Sequence, residues 1–297
     1  MSRRFLAVDV GGSRIKSAII VEGNARLHAP KPVARDLDEL LRQIVGLYRR
    51  HAAGEDLSWG LCMPGLIDTI TGTVRHSAGL ALQDVPVLDL LARDLPRPRV
   101  FVNDLVAAAV GEAGGGTLAL IQIGTGIAGR WVVDGVALPG AHGYPGEIGH
   151  LRFRARGRRC LCGNMGCAEA YGGWGAIRRR FAESGRPVSS PAEVLRAARS
   201  DPLARRVLKD ALDAIGFAAS ALVAVADPGI LRVGGGLSAA WGETLLASLR
   251  NALSGRVLAE VAAATPVEQT RLGERASLIG LATLASEWSR TASDRRS

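Results

Sequence analysis

The chain has 297 residues, 47% of them hydrophobic and 22% charged, the balance of a folded globular protein with room for about two domains. Its formal charge of +9 comes mainly from arginines spread along the chain, which reads as a solvated basic surface and argues against a nucleic-acid partner. The 37 glycines fall in doublets and triplets without a fixed period, which excludes a fibrous protein and points to tight turns or backbone brought close to a ligand.

The start, Met1-Ser2-Arg3-Arg4, leads into an apolar strand over 5–10 that ends in Gly11-Gly12, without the apolar core of a signal segment. A second strand over 15–21 and a third near Arg26 give an antiparallel start. Asp36 is placed to cap a helix reaching about His51, with Leu37, Leu40, Leu41, Ile44, Val45 and Tyr48 on one stripe. A strand over 57–63 precedes Pro64-Gly65, a short helix covers 87–95, and a strand over 99–102 points at Asn103-Asp104, where a small-residue helix over 105–113 begins. The plan then restarts: a strand over 117–123, the turn Gly124-Thr125-Gly126 and a hairpin around Asp134-Gly135. Helices are expected over 169–183, 191–200 and 202–226, then a strand over 230–233 running into Gly234-Gly235-Gly236. Helices over 238–251 and 274–288 flank a last strand near 266–270, and the polar tail after Ser289 is expected to be disordered. The longest apolar stretch, 214–226, is too short to cross a bilayer and reads as a core helix, so a cytoplasmic protein with no membrane partner is expected.

Three groups of residues carry chemistry. Asp9-Val10-Gly11-Gly12-Ser13 ends a strand in an acid, two glycines and a hydroxyl, a device that brings backbone N–H groups to phosphates while the acid helps hold magnesium. Gly124-Thr125-Gly126 repeats it, and no P-loop is present. Asp104, at a strand end and helix start, suits a base that takes a hydroxyl proton during phosphoryl transfer, although a plain helix cap fits the same place. Glu147-Ile148-Gly149-His150 and Cys160-Leu161-Cys162-Gly163-Asn164-Met165-Gly166-Cys167 bring an imidazole and three thiols into a closed set that suits structural zinc, whereas Cys62 reads as core packing.

Together these motifs, with Met63-Pro64-Gly65 and Glu169 after Cys167, resemble the ROK family of repressors, open reading frames and sugar kinases over nearly the whole chain. The resemblance implies an α/β, two-lobed actin-like ATPase (ribonuclease H-like) fold with the active site in the interlobe cleft. The small lobe is expected over 1–104 plus 274–297, and the larger lobe, with the zinc loop, over 105–273. By the same resemblance Asp104 is the base for a sugar 6-hydroxyl, Asn103, Glu147, His150 and Glu169 bind other hydroxyls, and Gly65 lines the pocket. Zn2+ falls to His150, Cys160, Cys162 and Cys167. ATP falls to Gly11, Gly12, Ser13, Gly124, Thr125, Gly126, Gly234 and Gly235, with Asp9 near Mg2+. The implied activity is ATP-dependent phosphorylation of glucose or a glucose-like hexose, in a homo-oligomer (dimer or tetramer). One departure stands out: the family's Ala-Asn after Asn-Asp is Leu105-Val106 here, which opens an alternative as an amino-sugar kinase acting on kanosamine or N-acetylmannosamine. A sugar-sensing regulator is the weaker expectation, because Asp9 leaves no room before it for a winged helix-turn-helix and a sensor has no need of Asp104.

Overall fold

The chain divides into two units, one holding residues up to 115, 135–144 and those from 272 onward, the other holding 116–134 and 145–271. The structure, a computed structural model, describes residues 4–141 and 143–294, with side chains described through 286; Met1 to Arg3, where the signal-segment expectation begins, lie outside the described residues.

In the first unit β1 (Phe5–Val10) is buried along its length and pairs antiparallel with β2 (Arg14–Val21). β3 (Asn24–Leu27) and β4 (Lys31–Pro32) flank β2, α1 (Leu37–Ala52) follows, and β5 (Ser58–Met63) runs parallel to β1. A separate three-stranded sheet, β6 (Leu66–Asp68), β7 (Thr73–Ser77) and β8 (Leu82–Val85), fills a stretch for which the sequence suggests no element. Then come α2 (Val87–Leu91), β9 (Val100–Asn103) beside β5, and α3 (Asp104–Ala113). The main sheet reads β3-β2-β1-β5-β9. Leu6, Val8, Val10 and Ile15 pack with Leu40, Ile44 and Leu47 of α1, the expected stripe, while Phe5, Ala7, Ala18 and Cys62 pack with Ala107 of α3 and with Leu278 and Leu281 near the C-terminus. A strand covered on both faces needs no polar alternation, so β1 is apolar at every position but Asp9.

The second unit opens with β10 (Leu118–Ile123) and its antiparallel partner β11 (Ile127–Val133); the short β12 (Val136–Ala137) lies in the 135–144 segment of the first unit. The helix expected over 169–183 is two, α4 (Glu169–Gly172) and α5 (Trp174–Glu183), because Gly173 is extended at ψ 142°. α6 (Pro191–Ala197), α7 (Pro202–Ala226), β13 (Leu231–Gly234), α8 (Gly236–Ser254), α9 (Ala259–Ala264) and β14 (Val267–Gln269) complete it. β13 runs parallel to β10 and β14, so β11-β10-β13-β14 repeats the order β2-β1-β5-β9 of the first sheet.

The first unit closes with α10 (Ala276–Asp294), whose helical backbone continues through the start of the tail expected to be disordered; no proline or glycine follows Gly280 within it. α3 and α10 meet backbone to backbone: a Cβ on Gly111 would come within 2.1 Å of the Ala276 oxygen, and one on Gly280 within 1.8 Å of the Ala107 oxygen. This packing joins α3 to the first unit, so the break falls after Gly115 and not after Asp104. Among the described residues no helix is long and apolar enough to cross a membrane.

Candidate active site and metal centre

In the first unit the carboxyl ends of β1, β5 and β9 lie side by side, Asp9 opposite Cys62 and Met63 opposite Asn103. Asp9 is 3% exposed, and its Oδ2 accepts a hydrogen bond from the Ser277 hydroxyl at 2.6 Å and holds the Lys16 ammonium at 2.7 Å. Lys16 stands opposite Asp9 in the β1–β2 ladder. Burial draws the Lys16 pKa down, but the charge and hydrogen bond of Asp9 outweigh it and hold the amine above its ordinary value. Sequence reading missed Lys16, since a lysine in a hairpin strand looks like a solvated side chain. The one available signal was its register with Asp9. Cys62 is fully buried; burial first, then the charges of Asp9 and Asp104, push its thiol well up. Both carboxylates therefore act on one end of this sheet.

Asn103, and not Asp104, caps α3: its Oδ1 accepts from the N–H groups of Leu105 at 2.9 Å and Val106 at 3.3 Å. Its Nδ2 donates to the Gly65 carbonyl at 2.9 Å. Gly65 has φ +111°, and a Cβ there would lie 2.2 Å from the His76 oxygen, so only glycine fits. Asp104 is left as the first helical residue, half-buried, with Oδ1 accepting from the Leu105 N–H at 2.9 Å. Helix N-termini favour the ionised carboxylate. Leu105 is buried and Val106 half-buried. The Gly11 N–H donates to the Arg14 carbonyl at 2.8 Å, which closes the β1–β2 turn and leaves Gly12 and Ser13 exposed.

In the second unit the turn Gly124-Thr125-Gly126 is closed by the Gly124 N–H on the Gly126 carbonyl at 2.9 Å. The bend at Gly173 lets the N–H groups of Trp174 and Gly175 donate to the carbonyls of Gly124 at 2.9 Å and Thr125 at 3.1 Å. Glu169 Oε2 accepts from the Ile127 N–H at 2.8 Å, and a Cβ on Gly126 would come within 2.2 Å of that oxygen. Gly234 pairs with Gln122, so Gly235 lies beside the same turn; its φ is +93°, and a Cβ there would lie 2.3 Å from the Ile123 oxygen. Two glycine turns thus share one sheet end with the N-terminus of α8, an arrangement suited to phosphate.

The segment from Glu147 to His150 is pressed on β11. A Cβ on Gly146 would come within 1.7 Å of the Gly129 oxygen, and one on Gly149 within 2.2 Å of the Ile127 oxygen. The following loop is tied by Gly166, whose carbonyl accepts from Phe153 at 2.8 Å and Arg154 at 3.0 Å, and by Cys160 N–H on the Asn164 carbonyl at 2.9 Å. This brings His150, Cys160, Cys162 and Cys167 together, their ligand atoms all within 4.8 Å of one another. Cys160 Sγ is 3.7 Å from His150 Nδ1, and Cys162 Sγ is 3.7 Å from Cys167 Sγ. A tetrahedral zinc ion would set sulfurs about 3.8 Å apart and sulfur and nitrogen about 3.6 Å apart, so the donor set fits such a metal. Burial, then the neighbouring thiols, push Cys167 up to about 12, and burial raises Cys160 as well; a dication would offset that cost of ionising them. The other imidazole nitrogen, Nε2, lies 3.9 Å from Glu147 Oε2.

The ROK family profile matches residues 5–288. The chain belongs to the ROK family. A glucokinase of Halalkalibacterium halodurans is 30% identical over 94% of this chain and 93% of that one. An N-acetylmannosamine kinase of Vibrio cholerae is 27% identical over 85% and 90%. The crystal structure of a ROK hexokinase from Thermus thermophilus matches with a TM-score of 0.81 and 30% identity, covering 97% of this chain and 99% of that one. The chain has the two-lobed actin-like ATPase fold of ROK kinases.

Proposed function

We propose that the chain is an ATP-dependent sugar kinase that transfers the γ-phosphoryl group to the 6-hydroxyl of glucose or a glucose-like hexose. The observation that carries this reading is Asp104, a half-buried carboxylate at the start of α3, on the sheet end that also bears Asp9 and the Gly11-Gly12 turn. Membership of the ROK family and the glucokinase and hexokinase relatives support it.

In this reading Asp104 takes the hydroxyl proton as the sugar oxygen bonds to the γ-phosphorus, and the bond from that phosphorus to the bridging oxygen breaks to release ADP. Asn103, Glu147, His150 and Glu169 hold the other hydroxyls, with Gly65 fixing Asn103. Gly11, Gly12, Ser13, Gly124, Thr125, Gly126, Gly234 and Gly235 present backbone and hydroxyl groups to the phosphates. Magnesium enters with ATP; Asp9 Oδ2 already accepts from Lys16 and Ser277, so Lys16 supplies the positive charge held on that oxygen. His150, Cys160, Cys162 and Cys167 would hold zinc, and with four protein ligands and no open position its part would be structural. Nδ1 of His150 faces the Cys160 sulfur, so Nε2, beside Glu147, is the nitrogen available to the sugar. Four cysteines without a disulfide and a need for ATP fit a reducing cytoplasm.

A second reading, phosphorylation of an amino sugar, is favoured by the bulk of Leu105-Val106 and by the N-acetylmannosamine kinase relative. The test is Asp104→Asn assayed on glucose, N-acetylmannosamine and kanosamine: kcat on the preferred sugar falls by about 10²- to 10⁴-fold while sugar binding, followed by calorimetry, persists. Undiminished turnover removes Asp104 as the base, and phosphorylation of the amino sugars alone selects the second reading.

A further inference from the structure

The first unit has a second basic concavity, built from residues to which the proposed kinase chemistry gives no part. Its volume is about 480 Å3, and Arg4, Arg26, His28 and His51 face it above a floor of Ile19 and Val21. The β2–β3 ladder sets Ile19 opposite Arg26 and Val21 opposite Asn24, so the floor and its basic rim come from one hairpin. α1 brings His51 down on it in its last turn. The two imidazoles stack, centroids 4.0 Å apart at 25°. His28 is pinned from below by Ser17, whose Oγ lies 3.2 Å from Nδ1, and Arg4 is pinned by a 3.2 Å hydrogen bond from Nη2 to the His51 carbonyl.

The charges around this cavity are of one sign. Burial and then Arg26 draw the His28 pKa down, with a smaller push from Arg50; burial, then His28, Arg50 and Arg4 do the same to His51. No carboxylate lines the cavity among the described residues. Two guanidinium groups and two stacked imidazoles therefore converge with no protein anion to balance them. Guanidinium forks match phosphate oxygens, and a doubly charged phosphate offsets the neighbouring positive charges that, after burial, lower both imidazole pKa values. The cavity is of the size that holds small organic ligands, more room than a bare phosphate fills, and its apolar floor suits the body of an ester.

We propose that this cavity is a binding site for a phosphate monoester or a nucleotide, recognised through its phosphate by Arg4, Arg26, His28 and His51. The site stands independently of the kinase reading.

Histidine resonances of the full chain test it, with His28 and His51 assigned through His28→Gln and His51→Gln. Inorganic phosphate, glucose 6-phosphate and ADP are titrated separately. Both rings are expected to shift saturably with at least one probe and to titrate at higher pH when it is bound. Binding then tightens by about threefold or more from pH 8 to pH 6.5, since the ligand favours the protonated rings. A tighter glucose 6-phosphate arm makes the occupant a sugar phosphate, and a tighter ADP arm a nucleotide. Arg26→Gln, at an exposed position, weakens the site about tenfold and leaves basal kcat unchanged. Arg4→Gln repeats the test from the other wall. Shifts that stay linear with all three probes, or equal affinity in both arginine variants, overturn the proposal.

Discussion

Lys16 owes its chemistry to its position in the fold. It ends up 23% exposed, on the oxygen of a carboxylate that is itself 4% exposed. Replacing it with methionine leaves Asp9 charged, buried and held by Ser277, so Lys16→Met is expected to lower stability by about 2–4 kcal/mol in urea unfolding, short of the full cost of breaking a fully buried pair. Asp9→Asn added to that variant recovers part of the loss, because the charge that lacked its partner is gone. The pH dependence has a definite sign. The folded pKa of Lys16 lies above its ordinary value, so its contribution is complete below about pH 10 and is lost as pH rises through the raised value. The wild-type urea midpoint should therefore fall more between pH 8 and pH 11 than that of Lys16→Met. Equal falls would show that the pair contributes nothing. The sequence hides all this because a single strand does not reveal that its second face is roofed by α10. Asn103 presents the opposite case. The capping role read for Asp104 belongs one residue earlier, and the Asn-Asp doublet allows either assignment until the backbone chooses.

At the scale of elements, legibility follows local patterning. The β1–β2 hairpin, the α1 stripe, β10 and α7 were readable because each carries its period and a turn or cap at its end, whereas the hairpin expected around Asp134-Gly135 has its main pairing one turn earlier, β10 with β11. The β6–β8 sheet was not, because its strands are three to five residues long and β8 bends through Asp84 at φ +50°. The break at Gly173 was hidden because its cause is a pair of hydrogen bonds to a turn about fifty residues away. The cluster of His150 with three cysteines was legible, since C-x-C-x₄-C already brings its thiols close. Their loop has no helix or strand longer than an isolated bridge, so its order rests on backbone ties, to which a bound metal would add. Cys167→Ser should lower the zinc content from one per chain, speed proteolysis within 150–167, and raise the sugar KM more than it lowers kcat. A metal-free chain with unchanged KM would end the stapling argument. Helix packing gives a sharper case. Gly280→Ala forces α10 off α3, since its Cβ would lie 1.8 Å from the Ala107 oxygen, and is expected to cost about 1–3 kcal/mol as overpacking, read as a shift in urea midpoint without a change in slope.

At the scale of the whole molecule, both units use one plan: a hairpin with a glycine turn, extended by two parallel strands. The plan was visible in the sequence as a restart near residue 117, yet where the units divide was not, because α3 joins the first unit through Gly111 and Gly280, contacts far apart in the chain. In the proposed kinase the residues read as sugar ligands fall in two stretches: Asn103 and Asp104 at the start of α3, and Glu147, His150 and Glu169 around the cysteine loop. A ligand that touches both stretches protects both, whereas one held near the cysteine loop alone protects only the second. Glucose, or the preferred sugar, at about one hundred times its Kd should therefore add about 2.7 kcal/mol to the free energy of unfolding. Hydrogen exchange should slow both at 103–106 and at 147–150. Slowing at 147–150 with none at 103–106 would show that the sugar binds without reaching Asp104, and the base assignment would fall even if the chain proved to bind glucose. The same measurement on zinc-depleted protein separates the two contributions: protection at 147–150 is lost with the metal, and protection at 103–106 then falls as far as sugar affinity falls.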